Sequence, residues 1–274
     1  MPLKLSFLKT KTMITGSNFD MHQKVKARLA GADIESADFE AKQLVDAFCD
    51  NTERLNEAVS RRIIGEPLQY ILGEWEFYGI TLKTDSRALI PRADTETLVD
   101  TALDFLKSKD NAEIIDLCSG TGCIALAIAK HTGFAVTALE KFKDAYTLLC
   151  ENIKLCNLPV NAVCGDLFDG PCGKKYDLIV TNPPYIKAAD IIGLQKEVGF
   201  EPKTALDGGA DGLDFYRAIA ELWAPSLNGG GMLAVEIGVD QHFDVKALFE
   251  AAGLKSITFY KDLSGIIRVV SGIK

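Results

Sequence analysis

From residue 112 onward the chain alternates short apolar runs with stretches whose apolar residues recur every three or four positions. Runs at 113–117, 134–139, 160–164, 177–181, 232–237, 256–260 and 266–270 read as strands, and 123–130, 143–156, 213–224 and 245–252 as helices. Seven strands interleaved with helices predict an α/β fold, a doubly wound and mostly parallel sheet covered on both faces. The last two strands are joined by a short Lys-Asp-Leu-Ser-Gly turn. They are expected to be antiparallel, because a parallel return needs a long crossover. Upstream, Ala41, Leu44, Val45 and Phe48 keep helical spacing behind Ser36, a candidate N-cap. Leu55, Ala58 and Val59 repeat the pattern after Asn51 or Thr52, and Gly65-Glu66-Pro67 stops it. Residues 68–90 turn to aromatic and β-branched residues broken by Gly73 and Gly79, the composition of a hairpin. Thr95 or Asp94 then caps a helix reaching about residue 106. The expected divisions are a flexible start at 1–19, a small helical domain at 20–66, a β-hairpin linker at 67–91 and an α/β domain at 92–274.

Composition narrows the class. A chain of 274 residues with 47% hydrophobic and 25% charged residues is ordinary for a soluble globular protein. The formal net charge is -8, and residues 1–90 hold 12 basic against 13 acidic side chains, leaving 18 against 25 beyond them. An acid excess in the α/β part is a poor footprint for gripping a phosphate backbone. Cys49, Cys118, Cys123, Cys150, Cys156, Cys164 and Cys172 include no C-x-x-C pair, and His22, His131 and His242 lie far apart. Reduced, packed thiols in a cytoplasmic compartment are therefore expected, with no metal site. No apolar run is long enough to span a bilayer, and 1–19, with Lys4, Lys9 and Lys11, lacks a signal-peptide core.

Candidate chemistry sits at strand ends. Asn182-Pro183-Pro184-Tyr185 follows the strand at 177–181. Two prolines cannot continue a ladder, so the chain must leave the sheet rigidly where open α/β sheets place ligands. The Asn182 side-chain oxygen, the Pro183 carbonyl and the flat Tyr185 ring suit a planar NH2 group, an amide or a base amine. Asp116-Leu117-Cys118-Ser119-Gly120-Thr121-Gly122 ends the first sheet strand and opens a helix. Its small residues let backbone approach a ligand, although such a string alone can also be a tight βα turn with no ligand. Glu140 ends the second strand and offers a carboxylate to ribose hydroxyls; a solvated strand-end acid would look the same. Asp166, after the third strand, can accept from an adenine amine while Leu167 or Phe168 packs on the ring, or it can be an Asx-turn residue. The order of these four sites along successive strands favours a bound nucleoside whose reactive end meets Asn182.

That order resembles class I S-adenosylmethionine-dependent methyltransferases that modify amino groups. Gly65-Glu66-Pro67-Leu68-Gln69-Tyr70-Ile71-Leu72-Gly73, Glu76-Phe77-Tyr78-Gly79, Leu89-Ile90-Pro91-Arg92, Glu201-Pro202 and Ala205-Leu206-Asp207-Gly208-Gly209 narrow the resemblance. So do Asp211-Gly212-Leu213-Asp214-Phe215-Tyr216-Arg217, Glu236-Ile237-Gly238 and Arg268-Val269-Val270. From about residue 20 to the end the chain resembles the PrmC/HemK family, protein-(glutamine-N5) methyltransferases acting on peptide chain release factors. The resemblance implies a Rossmann-like, seven-stranded methyltransferase sheet with a small N-terminal helical substrate-docking domain. It implies S-adenosyl-L-methionine as cofactor, leaving as S-adenosyl-L-homocysteine. Asp116, Cys118, Ser119, Gly120, Thr121, Gly122, Glu140, Asp166, Leu167 and Asn182 would bind it. Asn182, Pro183, Pro184 and Tyr185 would hold the substrate, with Asn182, Pro183 and Tyr185 catalytic. The implied partner is a class 1 release factor, met by a monomer with no direct nucleic-acid or membrane contact. Cys118 stands where the family usually has Gly, Glu140 where Asp is common, and Ala93-Asp94 where Pro-Glu is usual.

Two rivals remain at this level. An N6-adenine or N2-guanine nucleic-acid methyltransferase would also present an NH2 to Asn182, but it calls for a basic groove. A non-catalytic binder working through residues 20–90 would have no need of Asp116, Glu140 and Asn182. Gly and Asp residues in 201–212 are ordinary turn chemistry, Trp75, Phe77 and Tyr78 read as domain-boundary packing, and the charged faces of the first helices as solvated surface.

Overall fold

The computed structural model describes residues 16–274. The expected flexible start at 1–19 lies outside the described residues as far as 15, and helix α1, Gly16–Ala30, already begins at Gly16. The described chain divides into two compact units, one ending at Leu72 and the other Gly73–Lys274.

The smaller unit holds α1, α2 (Ala37–Phe48), α3 (Thr52–Ile63) and the short α4 (Leu68–Leu72). Ala41, Leu44, Val45 and Val59 are buried, as the spacing that predicted the helices requires, and so is Leu29 of α1. Asn51 caps α3, its side-chain oxygen accepting from the Arg54 N–H at 3.0 Å. Ser36 makes no such cap; its hydroxyl donates instead to Glu40 at 2.7 Å. Glu40 is buried and takes a two-pronged contact from buried Arg62, at 2.5 and 3.1 Å. The charged faces of these helices are thus not wholly solvated. A paired Glu and Arg fix α2 against α3 inside the bundle, where removing either partner would strand a charge.

The larger unit opens with a hairpin of β1 (Glu74–Phe77) and β2 (Ile80–Lys83). Its two-residue turn, Tyr78 and Gly79, has φ of 48° and 72°, the left-handed pair that matches strand twist. Phe77 is buried in this unit's core, and Tyr78 packs edge-on against His131 at 5.0 Å.

After α5 (Glu96–Leu106) come β3 (Ile114–Leu117), α6 (Cys123–Thr132), β4 (Val136–Glu140), α7 (Lys143–Cys156), β5 (Val160–Cys164) and β6 (Tyr176–Thr181). A short α8 (Asp214–Ala218) runs into a π-turn at Ile219–Trp223 and leads to β7 (Leu227–Glu236). Helix α9 (His242–Ala251) and strands β8 (Lys255–Lys261) and β9 (Ile267–Ile273) complete the unit. The sheet has seven strands in the order β5-β4-β3-β6-β7-β9-β8, parallel except for β9, which runs antiparallel to β7 and β8. Alternate residues feed two cores: Ile114, Leu178 and Val180 pack on one face, Ile115, Leu117 and Ile179 on the other. Burial on both faces explains why these strands read as continuous apolar runs. No helix among the described residues is long and apolar enough to cross a membrane.

Candidate active site

The chain runs outward from β3 to β5 and then returns to β6 on the other side of β3. That reversal opens a crevice at the carboxyl ends of β3 and β6. Leu117 and Thr181 are register partners there, and the Thr181 hydroxyl donates to the Leu117 carbonyl at 2.7 Å. The glycine-rich turn and Asn182-Pro183-Pro184-Tyr185 therefore leave the sheet side by side.

The first turn is held from below and behind. Cys118, Gly120 and Gly122 all have positive φ, 56°, 53° and 82°. A side chain at Cys118 endures that left-handed geometry at a cost of about 1–2 kcal/mol, the reason a glycine suits the position. The Ser119 N–H donates to the Leu139 carbonyl at 3.0 Å. Buried Asn152 donates to the Thr121 carbonyl at 2.9 Å and clasps Lys83, tying the turn to the β1–β2 hairpin. Glu140 takes the Gly120 N–H on one oxygen at 2.9 Å and the Phe142 N–H on the other at 2.8 Å. Each carboxylate oxygen keeps a second lone pair for a ligand. Asp116 is wholly buried beneath the turn; one oxygen accepts from the Ala125 N–H, and Oδ1 has no partner among the described residues.

Asn182 and Pro184 face a cleft of about 960 Å³, counted to its open mouth. Cys118, Ser119, Gly120, Thr121, Glu140, Asp166 and Leu167 face the same cleft. Asp116, Gly122, Pro183 and Tyr185 lie outside its lining. Asp166 accepts from the Phe168 N–H at 3.1 Å and pairs with Lys141 at 2.7 Å, so it is a turn residue and a cavity residue at once. Phe168 turns aside onto Phe215 at 5.3 Å, and the rings that reach the cleft are Phe142 and Phe215.

The segment 201–212 does more than turn. Ile186 and Asp207 pair as an isolated parallel bridge, and Ala188 N–H donates to Gly209 at 2.9 Å. A Cβ on Gly208 would stand 2.7 Å from Tyr185 Cα and 2.9 Å from the Pro184 oxygen. Glycine there lets this segment press on the Asn-Pro-Pro-Tyr backbone. Gly238, after β7, meets the Tyr185 ring the same way, with a Cβ at 3.1 Å. Buried Glu201 accepts from the Ile90 N–H at 3.1 Å and pairs with Arg92, fixing the 87–92 wall of the cleft.

Comparison with known proteins gives this geometry a lineage. Residues 94–197, which include both strand-end loops, match the family model described as methyltransferase small domain. The chain is 43% identical to the release factor glutamine methyltransferase of Geobacter sulfurreducens, over 78% of this chain and 75% of that one. It is 38% identical to the release factor glutamine methyltransferase of Agrobacterium fabrum, over 90% of this chain and 89% of that one. The chain belongs to the release factor glutamine methyltransferase family. A methyltransferase from Pyrococcus furiosus, 17% identical over 83% of this chain and 99% of its own, superposes with a TM-score of 0.53 and shares the fold.

In this family member the acids near the cleft are electrostatically distinct. Burial pushes Asp116 up to about 8 and Glu236 up to about 7, and it raises Glu140 and Glu201 as well. Burial opposes ionisation of Asp166 too, but Lys141 prevails and holds it below the usual carboxylate range. Burial, reinforced by the charges of Glu140 and Asp116, keeps the Cys118 thiol protonated. Glu201 and Glu236 stand in stretches that carry the family resemblance but had no role assigned from it, and Thr95, Lys141 and Asn152 gave no functional signal in the sequence. Each is an ordinary polar residue whose meaning lies in a partner 69 or more positions away, or, for Lys141, 25 away. Among the described residues no cluster of His, Cys, Asp and Glu is placed to hold a metal ion.

Proposed function

We propose that the protein transfers a methyl group from S-adenosyl-L-methionine to the N5 amide nitrogen of the glutamine in the Gly-Gly-Gln loop of a class 1 peptide chain release factor. Family membership supports the reaction, and the residues of the cleft fit the cofactor. Gly120 faces open space apart from Ala88 at 3.9 Å, Glu140 has lone pairs to spare, and one Asp116 oxygen lies buried beneath the turn without a partner among the described residues. Glu140 would take the ribose hydroxyls, Asp166 and Leu167 the adenine, and the 118–122 turn the amino-acid end. When bound, the cofactor supplies an electrophilic methyl on a cationic sulfur and leaves as S-adenosyl-L-homocysteine.

The observation that carries the reading is the setting of Asn182. Its Nδ2 donates to the Thr95 hydroxyl at 3.3 Å, so the amide is held from behind and its oxygen is available to the cleft. An amide nitrogen is a weak nucleophile because its lone pair is shared with its carbonyl. Asn182 Oδ1 and the Pro183 carbonyl would accept its two protons and hold it in line with the methyl. The nitrogen becomes positive as it forms the new C–N bond, so the same oxygens bind the transition state more tightly than the ground state. Tyr185, clamped by Gly208 and Gly238, would fix the plane of the amide. The proton leaves the nitrogen to solvent after transfer, without a charged base.

Incubation with methyl-labelled cofactor and a release factor, beside a Gln→Ala release factor and total RNA, tests this reading. Label is expected in the intact factor alone. Label in RNA, or label that survives loss of the glutamine, would overturn it. Asn182→Ala is expected to lower methylation at least about 100-fold while cofactor affinity by calorimetry stays within about threefold. Equal loss of both would remove Asn182 from the assigned role.

A further inference from the structure

Glu236 ends β7, is buried, and among the described residues is bonded to no cation. Its Oε2 accepts the Thr95 hydroxyl at 2.6 Å, a length typical of a hydroxyl on a carboxylate. Thr95 is also buried and lines the cleft just before α5. It stands where a helix cap was expected, yet its side chain caps nothing. The same hydroxyl oxygen accepts from Asn182 Nδ2, and the Tyr185 hydroxyl lies 3.5 Å from the other Glu236 oxygen. Asn182, Thr95 and Glu236 thus form a chain of three polar side chains, drawn from the loop just past β6, the approach to α5, and the end of β7.

A hydroxyl has one hydrogen. An ionised carboxylate can only accept, so ionised Glu236 takes that hydrogen. Thr95 then has only lone pairs to offer Asn182, and Asn182 must turn its NH2 to Thr95 and its oxygen to the cleft. We propose that Thr95 and ionised Glu236 are positioning residues that set the polarity of the Asn182 amide, so that an acceptor rather than a donor meets the substrate glutamine. The inference rests on the reading of Asn182 as acceptor for that glutamine.

The arrangement carries a pH switch. A protonated Glu236 becomes a donor to Thr95, which frees the Thr95 hydrogen for Asn182. The amide then inverts and aims its NH2 at the substrate NH2, two donors facing one another. Burial brings Glu236 up to about 7, within reach of that reversal. The groups around it set the balance. Asp94 opposes its charge, while Arg268 favours it from between Asp94 and Asp262. Tyr185 favours the ionised form as a donor, Tyr216 donates to the Glu236 backbone carbonyl at 2.9 Å, and Cys123 is close enough to feel the charge.

The test measures methyl transfer to a release factor against pH at saturating cofactor, with cofactor affinity measured alongside by calorimetry. Thr95→Val is expected to lower kcat about 10- to 100-fold, with cofactor Kd within about twofold. Thr95→Ser, which keeps the hydroxyl, is expected to stay within about threefold of native kcat. Native enzyme should lose rate as pH falls through about 7, and Glu236→Gln should lose that acid limb whatever its plateau. Native kcat in Thr95→Val, or an unchanged acid limb in Glu236→Gln, would overturn the proposal. The Glu236→Gln profile decides even where Thr95→Val folds poorly. Native activity in Asn182→Ala would sink the assignment of the site itself. An inactive Asn182→Ala beside a fully active Thr95→Val would sink the polarity relay alone.

Discussion

Two glycines in one turn have different duties, and single methyl groups should separate them. Both lie at positive φ, so alanine at either costs about 1–2 kcal/mol of backbone strain. At Gly122 the new Cβ would also stand 2.5 Å from Leu149 of α7 and 3.4 Å from Leu126 of α6, inside the packed core. At Gly120 it would meet nothing nearer than Ala88 at 3.9 Å and would project where the backbone faces the cleft. Gly122→Ala is therefore expected to lower Tm by about 5 °C or more. Gly120→Ala should lower Tm less and weaken cofactor binding about tenfold or more, the space being the ligand's. Thermal melts and calorimetric titration of the two variants check the contrast. A larger Tm loss in Gly120→Ala than in Gly122→Ala would contradict the division of roles. Both glycines were recognisable in the sequence as a close-approach turn, but which one touches core and which one ligand was not. That depends on α7, whose Leu149 arrives 27 positions later.

At the scale of elements, Asn182-Pro183-Pro184-Tyr185 is rigid because other segments press on it as well as because of its prolines. The strap at 201–212 bonds to the chain just past Tyr185, and Gly208 and Gly212 both press on the Tyr185 backbone. Gly208 lies outside the left-handed region, so space alone demands glycine there. Gly208→Ala must push on the Tyr185 and Pro184 backbone, which has no rotamer to yield. We expect methyl transfer to fall about 10- to 100-fold, with cofactor affinity kept within about threefold, since Gly120 and Glu140 are untouched. Unaltered transfer rates in single-turnover assays would mean the strap does not position the acceptor loop. The sequence made the seven strands, the helices between them and the antiparallel last pair legible, because strands buried on both faces write themselves as apolar runs. It also located the four strand-end sites, because a doubly wound sheet brings strand ends together by topology alone. It could not show that 201–212 is a strap, since Asp and Gly are equally the residues of a free turn. Nor could it show Ser36 and Thr95 turning from caps to carboxylates, because a hydroxyl's partner is chosen by tertiary packing.

The whole molecule holds its carboxylates in two opposed groups, and its stability should record both. Glu151 is held down at about 2 by Arg87 and Lys83, and Asp211 at about 2 by Arg217. These acids are ionised more readily folded than unfolded. Their contribution is present above the ordinary carboxylate range and is lost as pH falls toward 2. Buried Asp116 and Glu236 behave the other way, with folded values of about 8 and about 7. Between the ordinary carboxylate range and those values the folded protein binds more protons than the unfolded chain. Stability must therefore fall as pH rises across that window, and the loss is complete above about 8. The surface pairs are screened by water and salt, so the buried acids should dominate the profile. Without cofactor, Tm is expected to peak near pH 5 and to decline steadily toward pH 8. Asp116→Asn, which keeps an acceptor for the Ala125 N–H, should flatten the decline above pH 7. S-adenosyl-L-methionine should flatten it too, since a cationic ligand over the cleft favours the ionised acids and releases their protons. Calorimetric titrations at pH 7.5 in buffers of different ionisation enthalpy would read that release directly. A binding enthalpy independent of buffer, or a Tm that climbs from pH 5 to 8, would show that Asp116 is already ionised at neutral pH before any ligand arrives.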